Sequence, residues 1–342
     1  MPTSRFRTML AALWVVGVLA AAFLAGWVRL PYYAIGPGPA REVRPLITVE
    51  GAPVYDARGR FVMTTIEAEQ LTAMGSLFAW IDPNLAVVDE SVLYPPGLTA
   101  EEEERLAISD MDTSKIDATY VVLRELIDYP EERGTGALIR QVVPDCSADG
   151  ALFPGDVVTA IDGRTVADPR AAGALIDAAG PGEALTFEVR ALGTDVPERV
   201  RLVRERCGGS RDPIVGVSMV EVFPIDVEIR SGDVGGSSAG LMFAVALYDL
   251  MTPGDLAAGR TIAGTGTIVP SGRVGPIGGI EEKVVAADRS GAEALLVPAD
   301  DFAAAQEVAP DGLQLVEIET FRGALDYLLE TGGQARVEDA AA

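Results

Sequence analysis

Residues Thr8–Val28 carry no charged side chain, and this run constrains how the rest of the chain can be arranged. It is dominated by Ala, Leu, Val and Phe. As an α-helix its 21 residues would span roughly 31 Å, enough for the hydrocarbon core of a bilayer. Arg5 and Arg7 precede it, Trp14 lies within it, and Trp27, Tyr32 and Tyr33 stand near its far end, where interfacial anchors belong. The pattern predicts a single-pass transmembrane helix in the cell membrane, with a cytoplasmic N-terminus and the bulk of the chain extracytoplasmic. A cleaved signal peptide is the competing reading, because Ala20, Ala22 and Ala25 offer small-residue sites. The length of the apolar run favours retention.

Two absences narrow the chemistry. The 342 residues contain no histidine, which excludes Ser-His and Cys-His mechanisms and His-ligated zinc within this chain. Lysine occurs only at Lys115 and Lys283, against 25 arginines, and neither follows a glycine, so there is no GK[ST] phosphate loop. Arginine cannot replace lysine as a base, because its guanidinium stays protonated. The net charge of -24 argues against nucleic acid as a partner of the folded part. Outside the cytoplasm, Cys146 and Cys207 can form a disulfide; two unrelated free thiols are the alternative.

The chain divides by pattern into five parts. Residues 1–30 are the N-terminus and membrane helix, and Gly36-Pro37-Gly38-Pro39 breaks that helix into a linker. Residues 31–120 form a linker and N-terminal extracytoplasmic segment. In it Leu46–Val49 and Phe61–Thr65 read as strands, and Thr99 with Glu102 fits a capping box. The acidic run after Thr99, like Asp110 and Asp112, reads as solvated helix surface rather than a cation site. Ile116–Ile127 reads as a further amphipathic helix. Residues 121–208 form a β-rich module, residues 209–332 an α+β domain, and residues 333–342 a disordered tail. The fold class is α+β multidomain.

In the β-rich module, Ala137–Ile139 and Gly155–Ile161 read as strands, Ala171–Ala179 as a helix and Leu185–Arg190 as a strand. The phrase GALFPGDVVTAIDGRTV, with a helix and final strand after it, resembles a PDZ domain of the bacterial protease-associated sort. PDZ domains bind extended peptides by adding a strand to a sheet edge. The resemblance makes Gly134, Thr135, Gly136, Ala137 and Leu138 the candidate carboxylate loop and edge; a purely structural module is the other reading.

Val234–Gly240 reads VGGSSAG and runs into an apolar helix. A serine at a glycine-rich turn opening a helix has small neighbours for a substrate backbone, and free N–H groups for an oxyanion. Backbone N–H groups of Gly236, Ser237 and Ser238 are the oxyanion candidates. Further on stands GRVGPIGGIEEKVVAADRSGAEALLVP, which reads as turn, helix and strand with Lys283 on the helix's first turn. Together with IAGTGTI between them and LLVPADDFAAAQEV afterwards, these motifs resemble the proteolytic domain of the Lon family. There the serine sits in a PSAG-type turn and the lysine precedes an alanine-rich helix. One departure is that this chain has Ser237 where the family usually has proline.

The Lon resemblance implies Ser238 as nucleophile, Lys283 as its base and Thr265 as the residue orienting the amine. Ile280, Val284 and Val285 would desolvate that amine, while Glu281 and Glu282 need not face it. The whole layout resembles the membrane-bound, ATP-independent PDZ–Lon proteins of bacteria. It implies a serine endopeptidase acting on peptides or unfolded proteins, with the PDZ-like module recruiting substrate, no cofactor or metal, and a homo-oligomer. A membrane-tethered peptide-binding adaptor with an inactive Lon-like domain is the alternative.

Overall fold

The computed structural model describes residues 3–82, 84–94, 99–127, 129–191 and 196–336. The apolar run begins the chain as α1 (Thr3–Ala25). Leu13, Trp14, Val16, Leu19 and Phe23 on it are more than half exposed. Among the described residues no helix is long and apolar enough to cross a membrane, so the structure itself does not show the expected transmembrane helix. β1 (Arg29–Pro37) follows, then the short β2 (Arg41–Glu42), β3 (Ile47–Glu50), β4 (Arg60–Met63), β5 (Ile66–Thr72), α2 (Gly75–Ala79), β6 (Ala86–Asp89) and α3 (Glu90–Leu93). β5 and β6 flank β1 in a three-stranded antiparallel sheet.

The two helices expected between Thr99 and Ile127 are one, α4 (Ala100–Leu126), 27 residues long. Its start is the capping box: the Glu102 N–H donates to Thr99 Oγ1 at 3.2 Å, and the Thr99 N–H to Glu102 Oε2 at 2.7 Å. Its buried positions fall mostly from Met111 onward, where Ala118, Val121, Val122 and Leu126 join the largest core.

The module comprises β7 (Ala137–Val142), β8 (Val157–Ile161), β9 (Arg164–Thr165), α5 (Pro169–Ala178), β10 (Ala184–Arg190), β11 (Pro197–Val203) and β12 (Val217–Glu221). Asp168 caps α5 through the Ala171 N–H at 2.8 Å, with proline at the first helical position. The sheet order is β11-β10-β8-β7-β12, and its inward residues form a core of their own around Ile139, Val158, Ile161 and Phe187. The module therefore extends past the expected boundary at 208, because β12 completes its sheet.

The last part holds β13 (Asp226–Ile229), α6 (Gly240–Met251), β14 (Gly254–Asp255), β15 (Thr261–Gly264), β16 (Thr267–Ile268), β17 (Val274–Gly275), α7 (Ile280–Arg289), β18 (Ala294–Pro298), α8 (Phe302–Val308), β19 (Gln314–Ile318), α9 (Phe321–Glu330) and β20 (Gln334–Ala335). Its central sheet runs β19-β18-β15-β4-β2, with β4, β15, β18 and β19 parallel. Alternation along the strands serves two cores. Phe61, Met63, Ile262, Ala294 and Leu296 pack with α6, every residue of which is buried. Val62, Ala263, Leu295 and Val297 pack with Ile280, Val284 and Ala287 of α7.

Two expectations change here. The stretch 31–120 is not a linker: β2 and β4 lie in the central sheet, β3 pairs with β13, and α4 joins the core that α6 fills. The module is thus inserted into this domain, whose strands lie both before and after it in the chain. Within the segment expected to be a disordered tail, β20 pairs with β14, while residues 337–342 lie outside the described residues.

Candidate functional site

The C-terminal end of β4 opens onto a cleft of about 640 Å³, lined among others by Thr64, Val234, Ser237, Ser238, Ile277 and Lys283. Crevices at the carboxyl ends of parallel strands are where α/β sheets bind ligands. Ser238 is half-buried, two residues before α6. Its carbonyl accepts from the Gly266 N–H at 2.7 Å and from Thr265 Oγ1 at 3.1 Å. Close packing explains the glycine after Ala239. A Cβ on Gly240 would come within 2.5 Å of Ser114 Oγ and 2.8 Å of Ile268 Cγ2.

α4 holds the serine turn from behind. Ser114 Oγ donates to the Ser237 carbonyl at 3.1 Å, and the Gly236 N–H donates to the Ala107 carbonyl at 2.7 Å. Gly236 is therefore removed from the oxyanion candidates, its donor being already engaged. Among the described residues the N–H groups of Ser237 and Ser238 meet no acceptor.

Lys283 is 3% exposed on the first turn of α7. That helix starts at Gly279, whose φ of 69° suits glycine and whose added Cβ would lie 2.9 Å from Ile66 Cγ2. The Lys283 amine donates to Thr265 Oγ1 at 3.3 Å. Thr265 itself is 1% exposed and donates its own hydroxyl hydrogen to the Ser238 carbonyl, so one hydroxyl links the two candidate residues. Among the described residues no hydrogen bond joins the Ser238 hydroxyl to the amine directly; free enzymes often hold such pairs loosely. Burial lowers the Lys283 pKa to about 8, against the opposing pull of Asp301 and Glu282.

Glu282 is a correction, since it is 7% exposed and acts on the amine rather than facing solvent. Asp301 is a site residue that the sequence motifs do not single out. Its carboxylate accepts the Ile277 N–H at 2.9 Å, which ties down the glycine-rich turn before α7, and burial raises its own pKa. The other lysine, Lys115, is paired with Asp112 at 2.9 Å on α4.

The remaining expected site residues lie in the module. Cys146 and Cys207 are joined, with S–S 2.07 Å and Cα–Cα 5.1 Å. The peptide edge expected at Gly134–Leu138 is closed. β7 pairs with β8 on one side, and on the other β12 pairs antiparallel from Val217↔Val142 to Glu221↔Ala137. The Gly134 N–H is likewise bonded to the Val222 carbonyl at 2.9 Å. The chain's own segment fills the edge that a peptide would need.

Residues 216–331 match the family of the Lon protease (S16) C-terminal proteolytic domain. This part of the chain is Lon-like. The Lon protease of Rickettsia typhi is 29% identical over 160 residues, covering 43% of this chain and 20% of that protein. The Lon protease of Azospirillum brasilense is 30% identical over 156 residues (44% and 19%), and Lon protease 2 of Bacillus subtilis is 32% identical over 96 residues (28% and 17%). The chain spans about a fifth of the length of these relatives. Among solved structures, the PDZ domain of an SdrC-like protein from Listeria monocytogenes is similar at 21% identity and a TM-score of 0.23, covering 25% of this chain and 90% of that one.

Proposed function

We propose that this chain is an endopeptidase in which Ser238 is the nucleophile and Lys283 its general base, cleaving peptides or unfolded proteins without ATP. The observation that carries this reading is a buried amine with a pKa near 8 at the same cleft as a helix-opening serine. The Ser238 hydroxyl attacks the substrate carbonyl and gives its proton to the Lys283 amine. The resulting ammonium protonates the leaving amine as the peptide bond breaks. Water, deprotonated by the same amine, then releases the acyl group from Ser238. The N–H groups of Ser237 and Ser238 are the available oxyanion donors.

Attachment to a membrane by α1, with the catalytic body outside the cytoplasm, is part of the proposal. It rests on the uncharged run Thr8–Val28, on the two preceding arginines and on the apolar side chains exposed along α1. Independence from ATP rests on the absence of a GK[ST] loop in this chain. The closed edge of β7 counts against the adaptor alternative.

The test compares Ser238→Ala and Lys283→Arg with the parent chain on an unfolded protein substrate. Both variants should lose cleavage by at least about a hundredfold, as removal of a nucleophile or base does. Residual cleavage at the parental rate in Ser238→Ala would refute the nucleophile, and the same result in Lys283→Arg would refute the base. The rate should also fall as pH drops through about 8.

A further inference from the structure

Thr64 is 4% exposed, and its Oγ1 has no hydrogen-bond partner among the described residues. Buried hydroxyls are normally satisfied, so one left open asks for a reason. It stands at the end of β4, in the cleft that Ser238 and Lys283 also line. The register continues it beside Thr265. Met63 pairs with Gly264 in parallel, and the Thr64 N–H reaches the Gly264 carbonyl at 3.4 Å. Alternation then puts Thr64 on the face of Val62, and Thr265 on the face of Ala263, both of which pack against α7. This is the face from which Lys283 projects. Thr65, one residue on, turns the other way and donates to the Pro39 carbonyl at 2.8 Å.

The donor count of the amine supplies the reason. A neutral lysine amine has two N–H donors and a lone pair; once it takes a proton it has three donors. Thr265 Oγ1 accepts one. A second is directed back at the reacting oxygens, from which the proton came and to which it must return. The third needs an acceptor that is unoccupied in the resting enzyme. Two charged groups act on the amine, Asp301 from the turn before α8 and Glu282 from α7, while Arg41, Glu67 and Asp233 also line the cleft. Asp301 already accepts the Ile277 N–H.

We propose that the Thr64 hydroxyl is a positioning residue that accepts a hydrogen bond from the Lys283 ammonium formed when the amine takes the Ser238 proton. The inference rests on the Ser–Lys reading above. No bond in the substrate is made or broken by Thr64; it holds the proton-bearing amine in line while the proton moves from Ser238 Oγ to the leaving nitrogen. Thr64 lies outside residues 216–331, so a residue from before the inserted module completes the Lon-like site.

The test measures Thr64→Val, Thr64→Ser and Ser238→Ala in the full chain, in detergent, on a fluorogenic peptide. Thr64→Val should lower kcat about tenfold with KM unchanged, the worth of one hydrogen bond to a charged group. It should also move the acidic limb of the pH profile to lower pH, because the protonated amine loses an acceptor. Thr64→Ser should restore both. Thermal unfolding of Thr64→Val should come no earlier than in the parent, since an unpaired buried hydroxyl has been removed. Parental kcat and pH limb in Thr64→Val, with Ser238→Ala inactive, would overturn the role of Thr64 and leave the dyad standing. So would an activity loss that tracks a lower melting temperature and is not rescued by serine. Full cleavage by Ser238→Ala would overturn the dyad and this inference with it.

Discussion

Replacing Lys283 by methionine should abolish cleavage and make the fold more stable. The amine is 3% exposed, and burial brings its pKa from 10.5 to about 8 although Asp301 and Glu282 pull the other way. One pKa unit corresponds to about 1.36 kcal/mol, so holding the charged form in the folded state costs on the order of 3 kcal/mol. Below about pH 8 both folded and unfolded chains keep the proton, and the whole cost is present. Between about 8 and 10.5 the unfolded chain binds more protons than the folded one, so stability rises with pH; above that range the cost is gone. Methionine keeps most of the apolar stem and forfeits one hydrogen bond to Thr265, worth about 1 kcal/mol. Thr265 still has the Ser238 carbonyl to donate to, so no orphan is created. Lys283→Met should therefore gain about 2 kcal/mol at pH 7 and fall below its parent, by up to about 1 kcal/mol for the missing hydrogen bond, by about pH 10.5. Urea unfolding midpoints of both chains at about pH 7, 9 and 10.5 read this directly. A difference that stays constant across that range, or a variant less stable than its parent at pH 7, would show that the amine is not held charged against its surroundings.

Reduction of the Cys146–Cys207 bond should lower the unfolding free energy by about 4 kcal/mol, the loop-closure value for a sequence separation of 61. The urea midpoint with and without reductant checks it. Gly240→Ala should destabilise by about 1–3 kcal/mol, because the new Cβ would press on Ser114 Oγ and Ile268 Cγ2. Since Ser114 braces the Ser237 carbonyl, the same variant should lose activity beyond its loss of stability. Peptide turnover at a temperature where the variant remains folded separates the two effects.

The second half of the domain is readable in the sequence because its signals are local. VGGSSAG before a largely apolar helix, and GPIGGIEEK before an amphipathic one, each announce their own geometry within about a dozen residues. The first half is not, because its role depends on partners far along the chain. β4 is four residues long, and what makes it a central strand is β15, about 200 residues later. Thr64 carries no motif that marks it; its meaning comes from lying beside Thr265 in register. Asp301 stands within the LLVPADD motif, yet only the fold turns it back on the Ile277 N–H. Glu282 departs from expectation because helical spacing alone does not say which side of α7 the sheet covers; with Ile280, Lys283 and Val284 all buried, that face is broad. The capping box at Thr99 is legible for the same local reason as the serine turn. The continuity of α4 through Ile116 is not, since its outer half is largely polar.

That the module is inserted, and not appended, changes what it can do. β12 closes its sheet against β7, and the chain then runs through β13, which pairs with β3, to the serine turn at 235–238. A peptide adding itself to β7 would have to peel off β12 first. Strand would replace strand, so the main-chain hydrogen bonds that normally give such a site its affinity would bring no net gain. Only side-chain differences would remain to drive the exchange, and they would have to offset a strand held intramolecularly at high effective concentration. Tyr129 adds to that hold by donating its hydroxyl to the Glu221 carbonyl at 2.7 Å. The same pairing leaves the module bracing the segment that leads to Ser238, and at β7 it presents no open edge to a substrate.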